Sequence, residues 1–490
     1  MNTTLRFIAV ALLLFPLTAL AQIVTGKVVD ANQQPVPYAS VQIGPLYGVV
    51  TNTEGDFVID KKDKTDADKV IFSSIGFETL TIKLSELKNG TYTLKEQVNV
   101  LDEVFITNKK YTPTELLTKV MENASKNYPS ETAKQTVFLR TSNETKLLDS
   151  KFELIKSSLE KKSVLKDINK EIEVMNNSAK KRTSQDYSEV YGYLYTQNNQ
   201  SKLDVEKAIE LKNKDKDVSG DQLNGKAMEV IKKHLDPTAT YKVRSGIIPI
   251  SDTFKIDSPK SDIKTDVKTA SLRTTLTSLS NTLNKFYTNE DLDFFTEFKR
   301  YTYTLEGYST YNDETIYIID FKPAKGSAHY YGKIYVNAFD FAVVKLDYNL
   351  VDGENEHKIN LKLLLGVKMV QDRTKVSATY AKNEAGQYAV NFVKKQTGTY
   401  MYIDRSMKFT QNKKTKDEEE RMLKLGLMAE MDQITTNELF VIAKTPISAE
   451  AYTAITEKPK YNINYIAKYD PSIWKDYNVL APVDAIKNYK

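Results

Sequence analysis

The chain has 490 residues, of which 41% are hydrophobic and 27% are charged, and its formal net charge is +5. So small an excess of positive charge excludes a polycation that binds nucleic acid through its charge alone. The chain contains no cysteine, which excludes thiol catalysis and disulfide bonds and leaves burial as the source of stability. Thirty tyrosines accompany a single tryptophan, a composition that favours strands and interfaces.

The first 21 residues have the pattern of a cleavable export signal. Arg6 supplies the positive charge, residues 7–20 are mainly apolar, and Ala19-Leu20-Ala21 has the small residues of a cleavage site. The alternative is a membrane anchor, but about 14 apolar residues fall short of the ~20 that span a bilayer. We therefore expect an exported, periplasmic protein that is associated with the outer membrane and has no membrane span of its own.

Short apolar strands alternate with turn residues across residues 22–107, which predicts a small β-sandwich of about seven strands. Phe57 and Phe72 are the predicted core residues. Gly55 occupies a turn in which glycine can take a positive φ. Val36 to Ile43 is predicted to be an edge strand because it contains proline.

Four motifs of this segment occur in the order typical of a known family: Gly26-Lys27-Val28-Val29-Asp30, Pro35 to Val41, Thr51 to Phe57, and Ser74-Ile75-Gly76-Phe77. The segment resembles the carboxypeptidase regulatory-like domain, a transthyretin-like sandwich common at the start of envelope proteins in certain Gram-negative bacteria. Leu101-Asp102-Glu103-Val104 matches the sequence with which that family's domain usually ends before the next domain begins. The resemblance implies a non-catalytic companion domain. In many relatives the next domain is the plug of a TonB-dependent receptor. In this chain a helical pattern follows the module instead.

Residues 108–292 are predicted to be mainly helical. Thr112 is a candidate N-cap with Pro113 in the first turn, and residues 151–175 carry apolar residues at helical spacing. Residues 203–235 are predicted to be helical at both ends. A heptad seam is formed by Leu272, Leu276, Leu279, Leu283 and Phe286. Because the seam is only two heptads long, it favours a helix packed within its domain over a coiled-coil dimer.

Beyond residue 293 the apolar period changes to two, which predicts a curved antiparallel sheet of seven or eight strands over residues 293–445. A helix is expected to open at Glu418-Glu419-Glu420, where acidic residues suit the positive end of the helix dipole. Residues 331–347 resemble strand pairs in uncharacterised envelope proteins carrying the same N-terminal module. They also look like the half-barrels of lipoprotein-sorting carriers. The fold class is therefore multidomain α+β.

No catalytic or metal-binding pattern is present in the sequence. His234, His329 and His357 form no helical metal pair, and neither a serine-nucleophile elbow nor a phosphate-binding glycine loop occurs. Carboxylate pairs for glycosidic chemistry stay open, because their spacing is spatial. We expect no enzyme, no cofactor and no metal.

The C-terminal tail, residues 446–490, holds the candidate interaction residues Tyr469, Trp474 and Tyr477. The tail is either an internal clasp onto its own sheet or a docking peptide for a partner, and both alternatives predict that Trp474 is buried. Two functions fit the whole pattern. One is a periplasmic scaffold or accessory subunit of an outer-membrane complex for barrel assembly, receptor uptake or secretion. The other is a carrier that binds an acyl chain or other apolar ligand on the concave face of the C-terminal sheet, which must then be open to solvent.

Overall fold

The computed structural model describes residues 23–44, 47–61, 64–65, 68–97, 111–158, 161–179, 182–212, 229, 232, 235–256, 266–413, 415 and 419–489. The predicted export signal, residues 101–104 and His234 lie outside the described residues. The chain divides into two compact units. The module unit holds the described residues of Met1–Val98, Thr310–Asp313 and Asp470–Lys487, and the sheet unit holds those of Asn99–Ser309, Glu314–Tyr469 and Asn488–Lys490.

Seven strands of the module unit are described: β1 (Ile23–Val29), β2 (Ser40–Ile43), β3 (Tyr47–Val50), β4 (Asp56–Asp60), β5 (Lys69–Ser73), β6 (Leu80–Lys83) and β7 (Gly90–Thr93). They form two sheets, with the orders β4-β1-β7 and β3-β2-β5-β6. Strand β1 is antiparallel to β4 and parallel to β7. The tail segment of this unit adds a 3-10 turn (Pro471–Trp474) and a short helix (Asp484–Lys487).

The two phenylalanines predicted for the core of the module are confirmed. Phe57 on β4 is 1% exposed, and Phe72 on β5 is 0% exposed. Their ring centroids are 5.8 Å apart, and Tyr92 of β7 stacks on Phe72 at 4.5 Å. Since β4 and β5 belong to different sheets, the two sheets share one aromatic core.

One turn prediction holds in the module, and one strand prediction fails. Gly55 has a φ of +76°, and a Cβ atom there would lie 2.4 Å from the carbonyl oxygen of Val28, so glycine is required. The predicted edge strand is wrong, because β2 lies between β3 and β5. It begins at Ser40, so Pro37 lies outside the strand and removes no hydrogen-bond donor from the ladder.

The fourteen-stranded sheet of the described sheet unit has the main order β14-β15-β16-β17-β19-β20-β21-β8-β9-β10-β23, with β11 and β12 joined to β20 and with β18 joined to β19. Its strands are β8 (Ala133–Ser157), β9 (Thr183–Gln197), β10 (Gln200–Lys212), β11 (Thr240–Ser245), β12 (Ile248–Lys255), β14 (Tyr301–Tyr311), β15 (Glu314–Pro323), β16 (Tyr330–Asn337), β17 (Val343–Leu350), β18 (His357–Leu361), β19 (Val367–Lys382), β20 (Tyr388–Gln411), β21 (Met422–Pro446) and β23 (Asn464–Ile466). A separate pair is formed by β13 (Asp266–Lys268) and β22 (Lys460–Asn462).

The antiparallel meander predicted beyond residue 293 is confirmed. Each strand from β15 to β17, and then β19, β20 and β21, pairs antiparallel with the next one. Strand β8 pairs antiparallel with β21, which brings an early part of the chain into the same sheet as its late part.

The α-helices of the sheet unit are α1 (Pro113–Asn127), α2 (Lys162–Ala179), α3 (Thr269–Asn284), α4 (Asp293–Thr296), α5 (Lys362–Leu365) and α6 (Ala449–Ala454). The predicted start of α1 is confirmed. The Thr112 hydroxyl accepts from the Glu115 N–H, and the Glu115 carboxylate accepts from the Thr112 N–H at 2.8 Å, which is a capping box. Among the described residues, no helix is both long enough and apolar enough to cross a membrane.

The prediction that residues 108–292 are mainly helical is wrong. Strand β8 alone runs for 25 residues and occupies the start of the predicted 151–175 helix, so α2 begins only at Lys162. Strand β10 occupies the start of the predicted 203–235 helical region. The last part of β8 alternates buried and exposed residues, and its many lysines and glutamates resemble the polar face of an amphipathic helix.

The helix expected after Glu418-Glu419-Glu420 is also wrong, because residues 422–446 form β21. Leu423 and Leu425 are buried with a polar residue between them. This period of two is the signal of a strand, and the run of acidic residues concealed it.

Candidate interaction surfaces

The aromatic core of the sheet unit is closed by helices of the chain itself. Phe286, which follows α3, is 0% exposed, and Tyr380 of β19 is 1% exposed. Tyr128, which follows α1, makes edge contacts with both rings at centroid distances of 5.1 and 5.5 Å. Leu276 and Leu283 of α3 are buried in the same unit, so the heptad seam packs within its domain. Helices α1 and α3 therefore close an apolar region of this unit.

The buried tyrosines of this core keep their hydroxyl groups hydrogen-bonded. The Tyr128 hydroxyl donates to the carbonyl oxygen of Val343 at 2.6 Å, and the Tyr380 hydroxyl donates to that of Leu283 at 3.0 Å. Burial raises the pKa of both phenols, because it penalises the charged phenolate. The neutral rings fasten the helical segments to the strands, which gives the high tyrosine content a structural role.

A second apolar region lies at the far end of the long strands. Phe152 of β8, Phe409 of β20 and Leu425 of β21 are buried there in one cluster with Ile172 of α2. Between this cluster and the aromatic core, the strands carry only a small described cluster around Leu147 and Met431. We call the far part of the sheet unit, with α2, α5, β11, β12 and β18, the distal end.

Two segments of the distal end, the β11–β12 hairpin and β18 with α5, carry exposed aliphatic side chains. Their exposed members, which we call the distal aliphatic surface, are Ile247, Ile248, Ile250, Ile359, Leu361, Leu363 and Leu364. Leu363 is 104% exposed, Leu364 is 77% exposed and Ile247 is 84% exposed. Seven of the eleven exposed large hydrophobic residues in the described chain therefore lie in these two segments. Such clustering is not expected of exposed residues that are scattered singly over a surface.

Arg405 of β20 holds the two segments together. Its Nη1 donates to the carbonyl oxygen of Leu365 at 2.9 Å, and its Nε donates to the Ser245 hydroxyl at 2.7 Å. Gly366, with a φ of +64°, ends α5 in the left-handed conformation and approaches the backbone of Asp404 so closely that a Cβ atom would not fit. The segments that carry the aliphatic residues are thus fixed to the end of the sheet.

Positive charge surrounds the distal aliphatic surface. Lys362 lies over the ring of Tyr402, with 3.9 Å from Nζ to the ring centroid, and Lys368 lies over the ring of Tyr400 at 5.1 Å. Burial and a hydrogen bond to Glu430 raise the pKa of the Tyr400 phenol to about 12. This phenol therefore stays neutral near pH 7, and the charges around the two rings are those of Lys362 and Lys368 and of the carboxylates of Asp404 and Glu430.

The sequence of this surface has the spacing of a strand. Ile359, Leu361 and Leu363 alternate with polar residues, and this period of two predicts a strand. Leu363-Leu364-Leu365 followed by Gly366 is instead a helical turn outside the ladder. An apolar run between lysines and a glycine is the feature that could have marked an exposed turn.

The predicted interaction residues of the tail separate between the two units. Trp474 and Tyr477 belong to the module unit, where their ring centroids are 5.5 Å apart. Trp474 is 5% exposed, so its predicted burial is observed. Tyr469 belongs to the sheet unit and is half-buried there. Residues 470–487 belong to the module unit, so this segment of the tail packs with the N-terminal module. The choice between an internal clasp and a docking peptide stays a prediction.

Asn52 of the module holds the tail in place. Its Oδ1 accepts from the N–H groups of Glu54 and Asp56 at 2.8 and 2.9 Å. Its Nδ2 donates to the carbonyl oxygens of Ala481 and Pro482 at 3.4 and 3.2 Å. Asn52 is 2% exposed, so one buried amide serves both the turn and the tail.

An acidic cluster at this contact is a salt-bridge network. The carboxylates of Glu54, Asp56 and Asp484 lie within 4.8 Å of one another. The Nζ of Lys487 lies 3.0 Å from both Asp56 and Asp484, and the N–H of Asp484 donates to Glu54. Lys487 pairs with two of the three carboxylates, so the cluster is a salt-bridge network that fastens the tail to the module.

A buried charge cluster crosses three adjacent strands of the sheet unit. Arg140 of β8 is paired across the sheet with Glu189 of β9 and Glu438 of β21, and all three are buried. The Nε and Nη2 atoms of Arg140 each lie 2.7 Å from Oε1 of Glu189. Burial would lower the pKa of the guanidinium, but the two carboxylates and the nearby Tyr469 offset this and raise it. The cluster is closed to solvent, which fits a structural role better than a catalytic one.

Two described clefts of the sheet unit are lined mainly by polar and charged residues. One is lined by residues that include Glu131, Asn284 and Lys444, and the other by residues that include Lys202, Arg273 and Glu457. In the second cleft Arg273 and Glu457 form a 2.8 Å ion pair, and Lys202 donates to the carbonyls of Tyr452 and Ile455 at the end of α6. Neither lining contains a leucine, isoleucine, valine or phenylalanine, the side chains expected around an acyl chain.

The two described histidines are apart from these clefts. Nδ1 of His329 lies 3.0 Å from the Glu354 carboxylate, and His357 is exposed on β18. Neither belongs to a group of metal-ligating side chains among the described residues.

Comparisons with known proteins identify the first module. Residues 24–106 match the family model of the CarboxypepD_reg-like domain. A search of curated proteins gave no match. Among solved structures, the crystal structure of the P. putida toluene transporter TodX is 7% identical, with coverage of 68% of this chain and 95% of that chain. Its TM-score is 0.08, so the likeness supports no inference. The N-terminal module of this chain is therefore a carboxypeptidase regulatory-like domain.

Proposed function

We propose that this protein is an exported, non-catalytic scaffold or accessory subunit of an outer-membrane complex. The periplasmic location, the cleaved signal and the sandwich arrangement of the two module sheets belong to this proposal. The resemblance of the C-terminal half to envelope proteins with the same module supports the compartment.

The observation that carries the proposal is the closed aromatic core of the sheet unit. A carrier needs a continuous apolar face open to solvent, whereas a scaffold needs that face covered. Phe286 and Tyr128, which lie next to helices, occupy the apolar region against Tyr380, and Phe294 of α4 stacks on Phe321 of β15 at 4.4 Å. These contacts leave this region no room for an acyl chain, which favours the scaffold over the carrier.

The large framework of long strands also supports a scaffold. Strands β8, β20 and β21 run for 25, 24 and 25 residues, and a strand rises roughly 3.3 Å per residue. Three packed regions stiffen these strands along their length: the buried charge cluster of Arg140, the aromatic core around Tyr128, and the distal cluster around Phe409. Such a framework can hold surfaces apart at fixed positions, which is what an assembly subunit requires.

The test is affinity purification from a detergent-solubilised envelope, with mass spectrometry of both proteins and lipids. An affinity tag placed in the exposed turn at Glu384 and Ala385, between β19 and β20, leaves the buried C-terminal tail intact. We expect an outer-membrane protein to co-purify in near-stoichiometric amount, and a tag on that partner to recover this chain. Recovery of one tightly bound lipid per chain without any partner would favour the carrier, and recovery of neither would refute the scaffold.

A further inference from the structure

We propose that the distal aliphatic surface docks onto the surface of a lipid bilayer that carries anionic headgroups. Single exposed aliphatic residues are normal on a soluble protein. Here seven of them lie in two short segments that Arg405 ties together. An exposed apolar group of this kind, on two segments that one arginine links, marks a site of interaction.

Three of the side chains, those of Ile247, Leu363 and Leu364, stand on turns, and the other four lie on the adjoining strands β12 and β18. Leu363 and Leu364 belong to the one-turn helix α5, and Ile247 lies at the tip of the β11–β12 hairpin. At exposures of 104%, 77% and 84%, they can enter the boundary between headgroups and acyl chains without any change in the fold. Shallow insertion of aliphatic side chains below a basic rim is how proteins bind a membrane surface without spanning it.

The charge of the two segments selects an anionic surface. Residues 241–251 and 357–371 contain five lysines and arginines, Lys242, Arg244, Lys358, Lys362 and Lys368, and no aspartate or glutamate. The carboxylates that bound the two segments are those of Asp252, Glu356 and Asp372. Glu356 accepts from Tyr330, and Asp372 pairs with Arg373. Basic residues beside a bilayer add about 1 kcal/mol each of attraction to anionic lipid.

The same charge argues against a second copy of the chain as the occupant. A symmetric dimer brings the same patch of each subunit together, so the lysines and arginines of the two copies would face one another. Like charges placed across an interface are unfavourable. An anionic lipid surface satisfies both the aliphatic and the basic components at once.

The test is flotation of the full-length exported chain with phosphatidylcholine vesicles that contain or lack phosphatidylglycerol. We expect binding to the phosphatidylglycerol vesicles, weakened by salt. The double variant Leu363→Ser/Leu364→Ser should lose at least about tenfold in apparent affinity, since each leucine loses apolar burial. The variant Lys358→Gln/Lys362→Gln should bind more weakly and show less salt dependence.

Phe339→Ser is the matched control, because Phe339 is 73% exposed on the turn after β16 and lies outside the distal aliphatic surface. It should bind as the unchanged chain does. Equal unfolding midpoints in urea would show that all variants are folded. Absence of binding to anionic vesicles, or equal binding by the double leucine variant, would overturn the proposal, and so would a leucine-dependent dimer in sedimentation. This outcome is independent of whether a protein partner co-purifies from the envelope.

Discussion

The two ends of the sheet unit use the same long strands but treat apolar side chains in opposite ways. At one end Phe286 and Tyr128 fill the space against Tyr380 of β19. At the distal end, α2 and the β11–β12 hairpin bury Phe152 and Phe409, while Leu363 and Leu364 remain exposed. The exposure of aliphatic side chains at the distal end is therefore confined to two segments, the β11–β12 hairpin and β18 with α5. It does not come from a lack of helices able to cover the strands.

The sharpest way to break this comparison uses two phenylalanines. Phe286→Ala removes a side chain that is 0% exposed, whereas Phe339→Ala removes one that is 73% exposed. The first should lower the free energy of unfolding by about 3–5 kcal/mol, because it leaves a cavity in the aromatic core. The second should change it by less than about 0.5 kcal/mol. Urea unfolding followed by tyrosine fluorescence measures both, and similar losses would contradict a closed core.

Charged residues extend the comparison. Arg140→Met leaves Glu189 and Glu438 buried without their cation and should cost about 3–5 kcal/mol of unfolding free energy. Lys358→Met, at an exposed position of β18, should change it by less than about 0.5 kcal/mol.

A combined variant sharpens the result. Arg140→Met/Glu189→Gln/Glu438→Gln removes the uncompensated charges and should regain much of the stability, since an uncharged replacement of a buried ion cluster is often tolerated. If the single Arg140 variant unfolds at the same urea concentration as the unchanged chain, the charge cluster does not stabilise the sheet.

In the module unit, the C-terminal tail packs against the module and is held there by Asn52. Asn52→Asp keeps the oxygen that accepts from Glu54 and Asp56 but replaces the donor to the tail with a carboxylate oxygen. The new oxygen would face the carbonyls of Ala481 and Pro482, so we expect a loss of about 1–3 kcal/mol. Asn32→Asp, at an exposed turn of the same unit, is the control for the change in charge. Limited proteolysis should release residues 470–487 from the Asn52 variant first, and equal protection in both variants would contradict the role of Asn52.

The smallest expected effect belongs to the distal aliphatic surface. Leu363→Ser/Leu364→Ser should leave the free energy of unfolding within about 0.5 kcal/mol of the unchanged chain, because both side chains are already in contact with water. Chemical denaturation provides the measurement. A loss as large as that of Phe286→Ala would show that the leucines pack against the protein, which would remove the reason to assign them a binding role.

Much of the local structure could be predicted from the sequence, because it depends on near neighbours. The capping box of Thr112 and Glu115 lies within one helical turn, and the seam of Leu276 and Leu283 lies within one helix. The strand periodicity beyond residue 293 and the core positions of Phe57 and Phe72 are likewise local patterns. Each of these was confirmed by the structure.

The remaining features depend on contacts between distant residues. Arg140 meets Glu438 only because β8 pairs with β21, and no local pattern records that pairing. The partners of Asn52 follow it by more than four hundred residues. The last part of β8 carries lysines and glutamates that resemble the polar face of an amphipathic helix, and its pairing with β21 is set by distant residues. The exposure of Leu363 depends on where the sheet ends, which the sequence does not state.

The absence of cysteine allows the central claim, a closed core at one end and an open aliphatic surface at the other, to be tested residue by residue. Single cysteines at Leu276, Leu364 and Phe339 can be labelled with a thiol reagent in the free chain and on phosphatidylglycerol vesicles. We predict slow labelling at 276 in both conditions and fast labelling at 339 in both. Labelling at 364 should be fast in the free chain and slow on vesicles. Fast labelling at 276, or slow labelling at 364 in the free chain, would contradict the account.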